Sequence, residues 1–433
     1  MKIHTATSLA IACLVFFGAQ PGTGAAERPI RAFLVTGGHD YDRAGFARML
    51  GTFAGVEVRH LEHPHALDAI VGAKDDEVDV LLLYDMHQQI TEVQAASYAR
   101  LVRRGKGVVA LHHSLASYQD WPENERLIGG KFLLKAERAG AGSQPASGSG
   151  YQHDVKIPVE IADAEHFVTR GLKDFTIHDE TYSSFRVSPA AHVLLRTQAP
   201  ASGPVIGWTK PYGRGRVVYL QLGHDDHAYA DPNYRTLVGR ALQWAARRAP
   251  EDTRWQPLFD GKSLAGWKPE GNARFSVEDG ILVGRQGPKG EAGDLFTDAE
   301  FADFELEVTW AMDWPGNSGI WFRYQTADRA YQADILEWKD PVAWSGTIYC
   351  SGKMFIARNV DPALVSRDGW NLFRIRAQKD RLEVFLNGRR VGEARDASTA
   401  RGRIGIQVHA GAEFAASAVR VADVRVRPLA PDG

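Results

Sequence analysis

The sequence predicts two domains of different class, an open, mostly parallel α/β sheet followed by an all-β sandwich. Three observations carry this. At 433 residues the chain is longer than one core ordinarily organises. The first half alternates apolar strands with helix-period stretches, the pattern of a parallel sheet with helical crossovers. The second half holds many short strands, with turn residues about every ten positions and almost no helix, the pattern of a sandwich. The boundaries follow from composition: residues 27–247 for the α/β domain, a polar linker over 248–256, and the sandwich over 257–430.

In the α/β domain, Pro29 to Thr36 is an apolar strand that ends in Gly37-Gly38-His39-Asp40, followed by a helix stripe of Phe46, Met49, Leu50 and Phe53. Val56 to His60, Val78 to Tyr84 and Gly107 to Leu111 continue the strands, with a helix from Thr91 to Arg104. Ala139 to Gly150 is a Gly/Ser-rich loop. Further strands are read at His153 to Ile161, Val193 to Thr197 and Gly215 to Leu220, and a helix from Tyr234 to Ala246 closes the domain. Ligands of open α/β sheets sit at the carboxyl ends of strands. Near such ends lie His39, His112, His178, Asp179, Glu180 and His224. Neutral imidazoles with a carboxylate hold a divalent cation when three or more converge. The candidate metal set is therefore His39, His112, Asp179, Glu180 and His224; the competing reading has each of them bonding backbone near its strand end.

In the sandwich, Phe304, Leu306, Val308 and Trp310 interleave with polar residues, and Leu382, Val384 and Leu386 run into the hairpin signal Asn387-Gly388. The densest chemistry lies between Asn317 and Glu337. Side chains alternate across a strand, so Trp321 and Arg323 are expected on one face and Ile320, Phe322 and Tyr324 on the other. Gln332 pairs with Asp334 on one face of the next strand, and Gln407 with His409 on a third. Together these would line a sugar-binding concavity; an ordinary salt bridge on a solvated sheet face is the plainer alternative.

Composition narrows the partners. Hydrophobic residues are 44% and charged residues 24%, a globular balance. The net charge is −2, from 51 basic and 53 acidic residues, with no basic block. Nucleic acid and anionic membranes are poor partners for such a surface. Lys2, the short apolar run Leu9 to Gly18 and the small residues before Ala26 read as a cleaved signal peptide over residues 1–26, with no membrane span. Removing it takes Cys13 and leaves Cys350 alone, so no intramolecular disulfide is expected; export without disulfides suits a periplasmic or secreted protein. No dinucleotide fingerprint occurs, so neither a nicotinamide nor a flavin is expected.

The first domain resembles the trehalose-utilisation (ThuA-like) family through Thr36 to Asp40, Leu111-His112, Asp179 to Tyr182, Gly213 to Tyr219 and Leu222-Gly223-His224. The resemblance implies the flavodoxin-like fold of class I glutamine-amidotransferase domains. Those place a cysteine in a tight strand–helix turn; this chain has Leu111-His112-His113-Ser114 there, which excludes a thiol nucleophile.

The second domain resembles the 3-keto-disaccharide hydrolase family, a concanavalin-like jelly-roll sandwich. The resemblance runs through Leu258 to Lys262, Val277 to Gly280, Asn317 to Arg323, Tyr331 to Glu337, Trp370-Asn371 and Gly405 to His409. Members usually carry Glu-x-Gln and then Asp where this chain has Gln332, Asp334 and Glu337, an exchange of acid and amide. The resemblance implies cleavage of 3-keto-glycosides. A ketone at C3 acidifies the C2 proton, a base removes it, the C1 oxygen leaves, and water adds back. On that footing His409 or Glu337 is the base, Arg323 or a cation stabilises the enolate, and Asp334 is an acid or metal ligand. Trp321 would be the sugar platform, with Gln332, Gln407 and Asn317 as substrate contacts. The alternative is a non-catalytic carbohydrate-binding sandwich serving a catalytic or sugar-binding ThuA-like domain.

Overall fold

The computed structural model describes residues 28–136 and 148–430. The leader over 1–26, and residues 139–147 of the predicted Gly/Ser-rich loop, lie outside the described residues.

The first domain is built on one nine-stranded sheet. Strands Val56–Glu62, Ile30–Gly37, Val80–Asp85, Gly107–Leu111 and Gly215–Leu220 lie side by side and all pair parallel. Val80–Asp85 and Gly107–Leu111 are wholly buried, as their unbroken apolar runs require when helices cover both faces. Beyond Gly215–Leu220 the sheet continues antiparallel through Val205–Tyr212, His192–Thr197, Gly150–Ile161 and Phe175–Ser183. The sheet is thus mixed where a mostly parallel one was expected. No helix separates these last strands, so hairpin returns replace crossovers.

Helices Arg43–Leu50 and Pro232–Ala245 pack one face of the sheet, burying Phe46, Met49, Leu237, Val238 and Leu242 against Leu82, Val109 and Val218. Helix Glu92–Arg103 packs the other. Its N-terminus is held by a capping box, in which the Thr91 side chain accepts from Gln94 N while the Gln94 side chain accepts from Thr91 N. None of the helices in the described residues is long and apolar enough to cross a membrane.

The second domain is a sandwich of two antiparallel eight-stranded sheets. The inner faces meet in one core, where Leu306, Val308, Trp310, Phe373 and Ile375 of one sheet face Ile320, Phe322, Ile335, Ile404 and Ile406 of the other.

The outer face of the first of these sheets lies against the α/β domain. Asp252, in the short 3-10 helix Pro250–Arg254 of the linker, receives Arg216 from one domain at 2.6 Å and Arg425 from the other at 3.1 Å. Arg247 reaches Asp423 at 2.7 Å. Apolar burial is also shared, since Tyr212 and Val217 belong to one cluster with Ile281, Val283 and Trp370. These contacts, with Arg104 against Asp279, lie around the starts of strands Gly107–Leu111 and Gly215–Leu220. The sandwich is therefore docked at the end of the sheet opposite the strand ends that carry His112 and His224. The outer face of its second sheet is turned away from the first domain.

Candidate functional site

Two clusters of chemistry-bearing side chains emerge, one on each domain. On the sandwich, five neighbouring strands of the outward-facing sheet set residues in rungs. Asp294, Gln407, Gly319 and Asp334 stand opposite one another across four strands. Two residues along, Phe296, Gly405, Trp321, Gln332 and Tyr349 form the next rung. Asn317 and His409 begin a third on the other side, by the same alternation. The glycines shape this floor. A Cβ at Gly319 would collide with the Gln332 side chain, and one at Gly405 with the Phe296 ring.

The Trp321 indole, 8% exposed, donates from Nε1 to Asp294 Oδ1 at 2.7 Å. Burial pushes the Asp294 carboxyl up, against the opposing effect of that hydrogen bond. Asp334 is 3% exposed, and burial alone pushes its carboxyl well above the usual carboxylate range. Its Oδ2 and the neighbouring Gln332 Nε2 are both buried without a hydrogen-bond partner. Two orphaned polar atoms on one sheet face are costly unless something else satisfies them. Asn317, Gln407 and His409 border a small hollow closed by Phe414. The His409 ring bonds the Ala410 carbonyl through Nδ1, which places the proton there and the lone pair on Nε2.

Two of the sequence-predicted residues are elsewhere. Arg323 does not share a face with Trp321, because the strand bulges there and Arg323 sits at a φ of 49°. Its fully buried guanidinium instead donates to the carbonyls of Ala302 (2.7 Å), Lys379 (2.7 Å) and Thr399 (3.4 Å) and to Asp303 Oδ1 (2.9 Å). Glu337 is not beside Asp334. Its short strand Glu337–Lys339 is at the sheet edge, beyond Val342–Cys350, and its carboxylate pairs with Arg367. Asp294 is the group that sequence reasoning missed. Its signal was present, two residues before Phe296 in an alternating strand.

On the α/β domain, His112 follows strand Gly107–Leu111 in a tight turn into a 3-10 helix, at a φ of 48°. Its Nδ1 lies 2.6 Å from the Gln221 carbonyl, which fixes the proton on Nδ1 and the lone pair on Nε2. That Nε2 stands 3.1 Å from His224 Nδ1 and 3.3 Å from Glu180 Oε1. His112, Glu180 and His224 offer ligand atoms that all lie within 4.8 Å of one another. Two imidazoles and a carboxylate in this arrangement are a donor set for a borderline divalent cation. Burial pushes Glu180 up, but the neighbouring His112, His224 and His153 imidazoles hold it below the usual range.

A further residue joins them. His153 Nδ1 is 2.6 Å from Glu180 Oε2, and its ring lies 4.8 Å from that of His224. In the sequence His153 reads only as the start of a strand.

The other two candidates serve differently. Asp179 is spent on backbone: it accepts from Gly223 N (2.7 Å), His224 N (2.9 Å) and Glu180 N (2.8 Å), so it positions the His224 loop. His39 bonds the Asp40 carbonyl, stacks on His113 with centroids 4.6 Å apart and stands edge-on to His224 at 5.9 Å. It neighbours the trio without joining it.

Comparison with known proteins divides the chain at the same place. Residues 32–245 match the trehalose utilisation family, and residues 254–427 match a family described as 3-keto-alpha-glucoside-1,2-lyase-like domain. A 3-keto-disaccharide hydrolase from Bacteroides thetaiotaomicron is 36% identical over 91 residues, which are 18% of this chain and 31% of that protein. The chain thus spans about a third of the length of this curated relative. Among solved structures, a candidate ThuA-like protein from Parabacteroides merdae aligns with 50% of this chain and 90% of its own at 18% identity, TM-score 0.44. A candidate glycosyl hydrolase from Parabacteroides distasonis aligns with 42% of this chain and 96% of its own at 17% identity, TM-score 0.34.

Proposed function

Because the chain belongs to the trehalose-utilisation family over its first half and to the 3-keto-alpha-glucoside-1,2-lyase-like family over its second, we propose that it is an exported carbohydrate-active enzyme. Its sandwich cleaves 3-keto-glycosides at the face built by Asp334, Gln332, Trp321, Asp294 and His409. The observation that carries this is the pair of buried, unpartnered polar atoms, Asp334 Oδ2 and Gln332 Nε2, beside a nearly buried indole. A site that only bound sugar would gain nothing from a carboxyl group held neutral by burial.

The chemistry follows from those groups. His409 Nε2 takes the C2 proton that the neighbouring ketone acidifies. The Gln332 amide donates to the enolate oxygen at C3, the role that Arg323 no longer fills. Asp334, neutral, gives its proton to the glycosidic oxygen as the C1–O bond breaks. Water then adds across the resulting C1–C2 double bond, its hydroxyl to C1 and its proton to C2, and net hydrolysis is complete. Trp321 carries the sugar face, with Asp294 fixing the indole edge.

In the first domain His112, His224 and Glu180, with His153 as fourth ligand, would hold a divalent cation. Such an ion polarises a carbonyl when bound. This supports a ThuA-like domain that acts on a related oxidised sugar. The test is product formation from a 3-keto-disaccharide and from its unoxidised parent, each with and without chelator. Cleavage of the keto sugar alone is expected. Cleavage of neither, with tight binding of both, would leave a carbohydrate-binding protein.

A further inference from the structure

A groove of about 850 Å³ runs between the two domains, away from both clusters described above. One wall is α/β domain: Arg103, Glu123, Arg126 and Tyr212. The other is sandwich, and its prominent side chains are Trp314, Arg367, Asp368 and Arg420. Neither half of the chain contains this groove by itself.

We propose that the groove is a second carbohydrate-binding site, which takes a neutral oligosaccharide and exists only because the two domains are joined. Its lining has the composition sugar recognition needs. Four arginines face five carboxylates, so the groove is close to neutral and offers planar, bidentate donors and acceptors rather than a field that would select a polyanion. Most of these charges are already fixed by partners. Glu123 accepts from Tyr212 OH (2.6 Å) and Arg126 (2.8 Å), and Asp313 is gripped by both guanidinium nitrogens of Arg420. A hydroxyl-rich ligand would therefore meet preorganised groups. Glu123, and to a lesser extent Asp368 on the opposite wall, raise the Arg126 pKa.

Trp314 supplies the aromatic element. It is partly buried, the Arg367 guanidinium lies 5.0 Å from its ring centroid, and its Nε1 is a buried donor without a partner. A sugar hydroxyl is a fitting acceptor for that N–H.

The rim of the groove on the sandwich side is a short, braced loop. Met312 borders both the groove and the hollow beside His409, and the loop that carries Trp314 ends at Asn317. That loop is held from below, since Asp313 N donates to the Ala418 carbonyl at 3.1 Å and Ser417 Oγ to the Pro315 carbonyl. The groove thus has a fixed rim.

The proposal does not depend on the keto-sugar chemistry, because it concerns unmodified saccharides. Titration calorimetry with the intact protein tests it, using di- and hexasaccharides of glucose, mannose and galactose as probes. Saturable binding of at least one hexasaccharide is expected. Trp314→Ala and Arg126→Ala, on opposite walls, should each weaken it tenfold or more, while Trp321→Ala leaves it unchanged. Arg126 is nearly half-exposed, so its replacement keeps the test valid should Trp314→Ala fold poorly. No saturable binding by the wild-type protein overturns the proposal, as does binding abolished by Trp321→Ala. Loss in Trp314→Ala with Arg126→Ala unaffected would place the sugar on the sandwich alone and overturn the two-walled site.

Discussion

Trp321 and Asp294 are joined across the sandwich face by a hydrogen bond of 2.7 Å from indole Nε1 to Oδ1, spanning two rungs and the intervening strand Gly402–Val408. Gly405 makes the link feasible, because it presents no side chain between them. The indole is thereby pinned edge-on to a carboxylate rather than free to rotate. Trp321→Phe keeps the ring and removes the donor. It is expected to raise KM roughly tenfold, the worth of about 1.4 kcal/mol, with a smaller change in kcat. An unchanged KM would mean that the indole edge does not position substrate.

Asp334 gives the sharpest pH signature. Its folded-state carboxyl is raised well above its ordinary value by burial. Below the unfolded-state pKa both states are protonated and the group costs nothing. As pH rises beyond it, the unfolded chain releases its proton while the folded protein holds on, so stability falls until the folded pKa is reached. Asp334→Asn removes that penalty. The variant is expected to unfold at a higher temperature than wild type at pH 7, the gap closing toward pH 4, while turnover drops roughly 100-fold or more. Equal melting temperatures at both pH values would show that the carboxyl is not held neutral. Retained turnover would remove it from the reaction.

Arg323 should behave in the opposite way. Its guanidinium ties together Ala302, Lys379, Thr399 and Asp303 from three separate loops. Truncation to Ala removes the guanidinium donors to three carbonyls and leaves Asp303 Oδ1 with only the Lys379 N–H, a loss on the order of 3–5 kcal/mol. Arg323→Ala is expected to be much less stable, while the fraction that remains folded keeps wild-type kcat. A folded, stable Arg323→Ala protein without activity would return Arg323 to the site.

The contrast between Arg323 and Trp321 shows how far the sequence could be read. Period-two alternation identified the shared face of Trp321, Gln332, Asp334, Gln407 and His409, because those strands run without interruption through these positions. One residue beyond Trp321 the rule ended, since a bulge inserts an extra residue and turns Arg323 inward. Nothing in Ile-Trp-Phe-Arg-Tyr announces a bulge; it arises where the strand meets the Ala302 and Thr399 loops. The approach of His112, Glu180 and His224 was legible for a different reason. Strand ends of a parallel sheet share one edge, so His112 and His224 could be brought together from topology alone. His153 comes from an antiparallel strand whose place beside Phe175–Ser183 depends on the half of the sheet that the parallel reading did not foresee. Asp179 and Glu180, adjacent in sequence, point to opposite sides of their strand, so one reaches the imidazoles and the other the backbone of the His224 loop.

That division of labour yields the last prediction. If His112, His224, Glu180 and His153 hold a divalent cation, protein stripped with chelator and titrated with Zn²⁺ should bind about one equivalent. At a free concentration near 100 times Kd, binding stabilises the folded domain by about 2.7 kcal/mol, a rise of several degrees in melting temperature. His112→Ala and Glu180→Gln should abolish the rise, and His153→Ala should reduce it. Asp179→Asn separates positioning from ligation. It leaves every ligand atom in place but weakens the grip on Gly223 N and His224 N, so zinc affinity should fall while stoichiometry stays near one. A melting temperature indifferent to zinc in the stripped wild-type protein would sink the metal centre. The close approach of His112 and His224 would then be an ordinary imidazole–imidazole hydrogen bond, with the proton on His224 Nδ1.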